Sequence, residues 1–379
     1  MLMRDGPASA LAVIVLKRSM LANLLPQWQD LCKRSAEDNV YYAPHYMLPL
    51  LDTVAAKVDV RIVTAWDGDR LIALMPVVTN GLSVPGIIAS GKSWQTDYTF
   101  NCLPLLDAGQ TEAAAGAIIE ALAALNSAEW IIPDVNAEGP VCLALQRALE
   151  SRGAPFSLER GFERASLSTG LSFEEHMTTH VSSKRRRELA RNRRRLEETG
   201  KLTLRSETSG PGLAEAVQAF LALEASGWKG KHGTALACAA STKVFAERAF
   251  GHSGGEGKSR ADLLLLDGKP IAAGVIVFSG NTGFTVKGAY DEAYGSYGAG
   301  LLLEQDVIRS FLTERWAGRL DAATNGRHVV DCLWPDRVKV ADLVFSLAGI
   351  GADLRLKVLT NVNNMARDAK STLKTLLKR

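Results

Sequence analysis

The segment GFTVKGAYDEAYGSYGAGLLLEQDVI, from Gly283 to Ile308, holds residues spaced to bind a phosphorylated ligand. A strand-like run leads into a turn carrying Gly295, Gly298 and Gly300, and the turn opens a helix. Glycine lets the backbone approach a ligand with no Cβ in the way, and the first amides of a helix are unpaired and partly positive. The main chain through Tyr297, Gly298, Ala299, Gly300 and Leu301 is therefore expected to hold a diphosphate. The same glycines are also what a plain tight turn requires. No Gly-Lys-Ser/Thr follows, which excludes a nucleotide P-loop, and the preceding strand belongs to an antiparallel meander, which excludes a dinucleotide fingerprint.

A second feature is a basic run. Between Lys184 and Arg195 eight basic residues stand against one acidic residue. On a helix, Lys184, Arg187, Arg191 and Arg195 share one face while Leu189 and Leu196 mark another. Such a stripe is either a solvated surface or a site for an anionic ligand: nucleic acid, an acidic membrane surface or the phosphates of a nucleotide-linked substrate. His176 and His180 lie four apart, but no third ligand accompanies them and no metal site is expected.

The elements that must position these residues alternate. Leu11–Leu16 reads as a buried strand and Leu21–Ser35 as a helix with Leu24, Trp28 and Leu31 inward. Val58–Ala65 and Arg70–Val78 flank the turn at Asp67-Gly68-Asp69 as a hairpin. Helices follow at Ala113–Leu125 and Pro140–Gly153, with a strand at Glu129–Ile132 between them. A second round starts near Phe162: a strand at Arg164–Leu167, one long helical segment Ser172–Thr199, a strand at Leu202–Glu207 and a helix at Pro211–Ala225. A hairpin, Arg260–Leu266 and Pro270–Phe278, and a further strand, Asn281–Tyr290, precede the glycine turn and its helix, Leu301–Arg315. Leu354–Leu359 reads as a late strand and Met365–Arg379 as a basic terminal helix.

The whole fits a duplicated αβ unit in a chain of 379 residues, long enough for two cores, divided near residue 160 into 1–160 and 161–379. The formal charge is only +3, from 44 basic and 41 acidic residues, so any basic function is local. Five cysteines with no CxxC pair argue against a disulfide framework or a zinc site and fit a reducing cytoplasm. The apolar stretch at Ala8–Leu16 runs straight into Lys17 and Arg18 without a cleavage site, so a cytoplasmic protein with no membrane span is expected.

A strand, a G-x-G turn and a helix at the end of an antiparallel meander resemble the coenzyme A loop of GNAT acetyltransferases, written Gln/Arg-x-x-Gly-x-Gly/Ala. Gly298 and Gly300 fit, while Gly295 stands where Gln or Arg is expected. SSKRRRELARNRRRLEETGKL, LEASGWKGKHGTAL, KGAYDEAYGSYGAGLLL and DCLWPDRV, over residues 165–345, resemble the CelD-like branch of that superfamily, as do VRIVTAWDGDRLIALMPVV and SWQTDYTFNCLPLLD in the first half. The branch is similar in architecture to the tandem-GNAT Fem transferases. The resemblance implies a mixed α/β fold of two tandem GNAT-like domains, each a mostly antiparallel sheet flanked by helices. It also implies an acetyl-CoA or other acyl-CoA donor, and direct transfer without metal to an amine of a small or sugar-containing acceptor. The first half has no glycine loop of its own and is expected to be scaffold and acceptor wall. A Fem-like alternative uses aminoacyl-tRNA, although no aromatic residues interleave with the basic run, and a further alternative is a non-catalytic GNAT-like binding protein whose cofactor loop has decayed, as Gly295 in place of Gln or Arg would fit.

Transfer to an amine needs a base near the thioester. Glu224 is the first candidate, because burial beside Trp228 would raise its pKa; Asp291 and Asp331, the latter with His328, come next. Trp228, Lys229 and Trp334 are the candidate acceptor wall, with Lys229 available to an anionic group; both tryptophans equally fit a core, and the glycine-flanked GWKGKHG favours function for Trp228 alone.

Overall fold

The computed structural model describes residues 11–84, 88–125, 127–251, 258–326, 328–349, 351–358 and 360–361. The chain forms two compact units. One takes the stretch up to Tyr42, Val58–Phe162 and the stretch from Lys339 onward; the other takes Ala43–Lys57 and Glu163–Val338. The division drawn from sequence, 1–160 and 161–379, is linear, whereas these units are interleaved. Two contacts account for the difference. The strand Asp336–Ser346 pairs with Glu129–Asn136 in the first unit, and Tyr46, on the helix Pro44–Asp52, packs edge-on against Phe245 in the second.

In the first unit the strands Ala12–Lys17, Arg61–Asp67, Arg70–Val84, Ile88–Ser93, Glu129–Asn136 and Asp336–Ser346 neighbour one another in that order. Every pair is antiparallel except Ile88–Ser93 with Glu129–Asn136. The first strand is an edge, not a buried element: Val13, Ile14 and Val15 are exposed, since among the described residues it pairs on one side only. Leu24, Trp28 and Leu31 are buried as their spacing requires, on the helix Leu21–Lys33.

The second unit repeats this pattern. Leu202–Glu207, Ser259–Leu266, Lys269–Ser279, Thr282–Tyr290, Arg319–Asp321 and the end of Phe156–Ser168 are successive neighbours. Again one pair is parallel, Thr282–Tyr290 with Arg319–Asp321, and the rest are antiparallel. The fold is thus mixed α/β with mostly antiparallel sheets. In both units a helix makes the crossover between the parallel strands: Thr111–Ala123 in the first and Ala299–Glu314 in the second.

The long helical segment is two helices. Ser172 and Glu175 form a capping box for Phe173–His180, and Ser182, its side chain accepting the Arg185 amide, caps a new helix, Ser183–Glu197. The buried Val181 between them is extended. Residues 352–358 are helical rather than a strand. Ala352 and Leu356, four apart, are the buried pair and Leu354 is exposed, so the burial follows a helical period. The expected helix Met365–Arg379 lies outside the described residues. No helix among them is long and apolar enough to cross a membrane.

Candidate active site

The strand Thr282–Tyr290 pairs with Lys269–Ser279 along its length, but with its parallel neighbour only over Thr282–Phe284. Beyond Phe284 the two part. At the same level the antiparallel register slips, Val275 facing Lys287 and Ile276 facing Thr285, which leaves Val286 as a bulge. The Thr285 hydroxyl is buried there with no hydrogen-bond partner among the described residues.

The glycine turn begins where this strand stops. Asp291 caps a short 3-10 turn, Glu292–Tyr297, by accepting the Ala293 amide at 3.0 Å. Gly298 then takes a left-handed conformation, φ 64 and ψ 41, and Ala299–Glu314 follows as α-helix. A residue with a Cβ would oppose that turn by about 1–2 kcal/mol. The Gly298 carbonyl accepts from Leu301 and Leu302 at 2.9 and 3.0 Å, so the amides of Ala299 and Gly300 stand ahead of the first intrahelical bonds. Gly298 and Gly300 are part-exposed, Ala299 is buried, and Tyr297 and Leu301 pack on the core. A Cβ at Gly295 or Gly300 would stand in contact with the ring of Tyr290, 3.6 and 3.5 Å away.

The basic helix Ser183–Glu197 lies against this turn. Leu189 and Leu196 are buried and Lys184, Arg187, Arg191 and Arg195 exposed, as the spacing requires. Arg193 pairs with Asp306 at 2.6 Å and donates to the Leu302 carbonyl, and the Arg195 guanidinium carbon sits 4.9 Å from the centre of the Tyr297 ring. Asn192, 6% exposed, lies beside Gly298. Its place was legible in principle, since it falls between Leu189 and Leu196 on the inward side of a helix that is otherwise cationic.

The candidate acids are all engaged. Glu224 is fully buried, but it faces Lys229 at 3.2 Å and Lys287 at 3.4 Å and accepts the Leu236 amide at 2.8 Å. It is not the lone acid beside Trp228 that its neighbours in sequence suggested, because Trp228 turns outward, 51% exposed. Asp291 is the cap just described, and Asp331 accepts the His328 amide in the capping box of Val329–Cys332. His328 Nδ1 in turn accepts from the Val330 amide, and burial lowers its pKa.

The carboxyl that sequence reasoning missed is Glu304, on the second turn of the glycine helix. The Trp334 indole donates to it at 2.7 Å, and burial, with the Asp262 charge adding, pushes its pKa up to about 7. Trp334 itself is 1% exposed and is therefore core rather than acceptor wall, drawn inward by the turn that buries Leu333 beside it.

Lys229 belongs to the site's edge. Besides Glu224 it bonds the Gly288 carbonyl at 2.9 Å, and burial lowers its pKa, opposed by the Glu224 charge. Its segment, Trp228–Lys231, is tied to the glycine turn through the ion pair of Lys231 with Glu292 at 2.6 Å. The tight approach at Gly230, where a Cβ would run into the Ala225 carbonyl, fixes that segment's path. His176 donates to the Leu333 carbonyl at 2.9 Å, and no metal-holding cluster occurs among the described residues.

Residues 183–325, within the second unit, match the family model of the acetyltransferase (GNAT) domain. Among solved structures FemX superposes with a TM-score of 0.54 at 10% identity, covering 84% of this chain and 95% of its own. A conserved protein of unknown function from Bacteroides thetaiotaomicron VPI-5482 gives 0.53 at 11%, covering 88% and 100%. The C-terminal domain of a protein described as a lysylphosphatidylglycerol synthetase, from Agrobacterium fabrum, gives 0.52 at 13%, covering 89% and 95%. These are likenesses of fold. No curated protein matches the chain.

Proposed function

We propose that the protein is an acyl-CoA-dependent N-acyltransferase of the CelD-like kind, transferring an acyl group directly to an amine of a small or sugar-containing acceptor. The observation that carries this reading is the left-handed Gly298 cap, set at the end of a strand that has already parted from its parallel neighbour. Diphosphate on the Ala299 and Gly300 amides would lead the donor's pantetheine arm along the vacated edge beyond Phe284. Main-chain groups at a strand edge can pair with its amides. The acceptor would enter past Trp228 and Lys229, next to the strand's end.

In the transfer, the amine nitrogen bonds to the thioester carbon, the C–S bond breaks, the thiolate leaves with a proton, and the amine proton passes to a base. The candidate proton acceptor is Glu304, which lies on the second turn of the helix that Gly298 caps and whose carboxyl burial pushes up to about 7. The first unit serves as scaffold. At the crossover matching the glycine turn it carries Trp94, Cys102 and Leu103 buried, and its helix starts from Gln110 at φ −140.

Addition of acetyl-CoA at about 100 times its Kd should stabilise the fold by about 2.7 kcal/mol, read as a rise in Tm. Incubation with a panel of amines should release free CoA thiol. Absence of both the Tm shift and the released thiol would overturn the reading. A second reading, with aminoacyl-tRNA as donor, is favoured by the exposed stripe Lys184, Arg187, Arg191 and Arg195. Binding of tRNA that weakens steeply with salt, with no affinity for acetyl-CoA, would select it.

A further inference from the structure

Three features of the basic helix remain unexplained by packing. Asn192 is 6% exposed and its Nδ2 lies 3.6 Å from where a Cβ on Gly298 would stand, so its amide is placed to donate to an anion over Gly298. Arg195 lies over Tyr297, two residues from Gly295, the position where the acyl-CoA motif carries Gln or Arg and this chain carries no side chain. Arg191, one turn earlier on the same face and about 6 Å along the axis, has no carboxylate partner among the described residues.

The acids nearest this place are already engaged, Asp306 by Arg193 and Glu292 by Lys231. The Arg193 ties to Asp306 and Leu302 hold the helix in register with the glycine turn, with Asn192 beside Gly298, Arg195 over Tyr297 and Arg191 exposed one turn earlier.

The geometry points to a donor site whose side-chain half comes from the basic helix. Asn192 donates to the diphosphate resting on the Ala299 and Gly300 amides. Arg195 neutralises that diphosphate in place of the side chain missing at Gly295, and Arg191 takes the phosphate on the donor's ribose. The assignment rests on the acyl-CoA reading and deepens it, making CoA distinguishable from its 3′-dephospho form. Charge-assisted bonds to phosphate are the stronger class, and loss of one is expected to weaken binding about tenfold.

The test is calorimetric titration of the full chain with CoA, 3′-dephospho-CoA and adenosine 3′,5′-bisphosphate. Arg195→Ala, at an exposed position that leaves the core intact, should weaken CoA and dephospho-CoA alike by about tenfold; Arg191→Ala should weaken CoA and the bisphosphate but not dephospho-CoA. Asn192→Asp, which sets a carboxylate against the phosphates, should weaken all three. Lys184→Ala and Arg187→Ala, further along the stripe, should bind as the unaltered protein does. Unchanged CoA binding by Arg195→Ala would overturn the assignment and leave the donor reading standing. Equal losses from Lys184→Ala and Arg195→Ala would also overturn it, since the stripe would then act as a diffuse polyanion surface. If the unaltered protein binds the bisphosphate in an Arg195-dependent way but no acyl-CoA, the phosphate site stands and the acyl-CoA reading falls. If it binds none of the three, both fall.

Discussion

Replacing Glu304 by Gln separates charge from shape. Gln keeps an oxygen to accept the Trp334 indole hydrogen while removing the ionisation that burial opposes. Glu304 has its folded pKa raised from 4.5 to about 7, so the folded state holds the proton more tightly than the unfolded chain does. Between those values the unfolded state binds fewer protons, and the group's contribution to stability falls as pH rises through the window. At 1.36 kcal/mol per pH unit the whole interval is worth about 3 kcal/mol, of which about 2–3 kcal/mol develops between about pH 5 and about pH 8. Glu304→Gln should therefore be close to the unaltered protein in stability at the acid end and should gain on it steadily toward the alkaline end. Urea unfolding followed by tryptophan fluorescence across that range measures the difference. A gap between the two proteins that stays constant with pH would refute the raised pKa, and with it the case for Glu304 as base. If Glu304 takes the amine proton, the same variant also loses kcat with KM little changed, and the acid limb of the pH–rate profile disappears.

Gly298→Ala should cost about 1–2 kcal/mol through its left-handed backbone and weaken CoA binding, which thermal melts with and without CoA will resolve. Glu224→Ala leaves Lys229 and Lys287 facing one another without their shared carboxylate and should destabilise by about 3 kcal/mol in urea titration. In the first unit, Arg160→Met takes the guanidinium away from two buried carboxylates, Asp134 and Asp342, and should cost about 3 kcal/mol, read by calorimetry; a loss under about 1 kcal/mol would show that their remaining hydrogen bonds suffice.

What the residues disclosed in advance was local. The stripe of Lys184, Arg187, Arg191 and Arg195 and the buried Leu189 and Leu196 followed from helical spacing, and a glycine turn opening a helix from glycine's conformational range, although the helix starts at Ala299 rather than Leu301. What stayed hidden depended on partners distant in sequence. Nothing near Glu304 announces Trp334, thirty residues away, as its hydrogen-bond donor, and nothing near Glu224 announces Lys287. Trp334 was left open between acceptor wall and core for the same reason: its role is set by the core that receives it. The break at Ser182 was readable, since serine caps helices and the stretch 178–183 is poor in helix formers, but the strong run from Lys184 drew the whole segment into one helix. Residues 352–358 alternate in type like a strand, and only tertiary burial of Ala352 and Leu356 decides for helix.

The return of Asp336–Ser346 to Glu129–Asn136 bears on how the molecule can be made. A nascent chain that has emerged only to residue 160 has every strand of its first sheet but one, and the flank of Glu129–Asn136 stays open until some two hundred further residues have been synthesised. A gene cut at the apparent midpoint would leave that open flank permanently, inviting other chains to pair with it. Expression of the halves is better planned by carrying the last strand, through Ser346, along with the first piece.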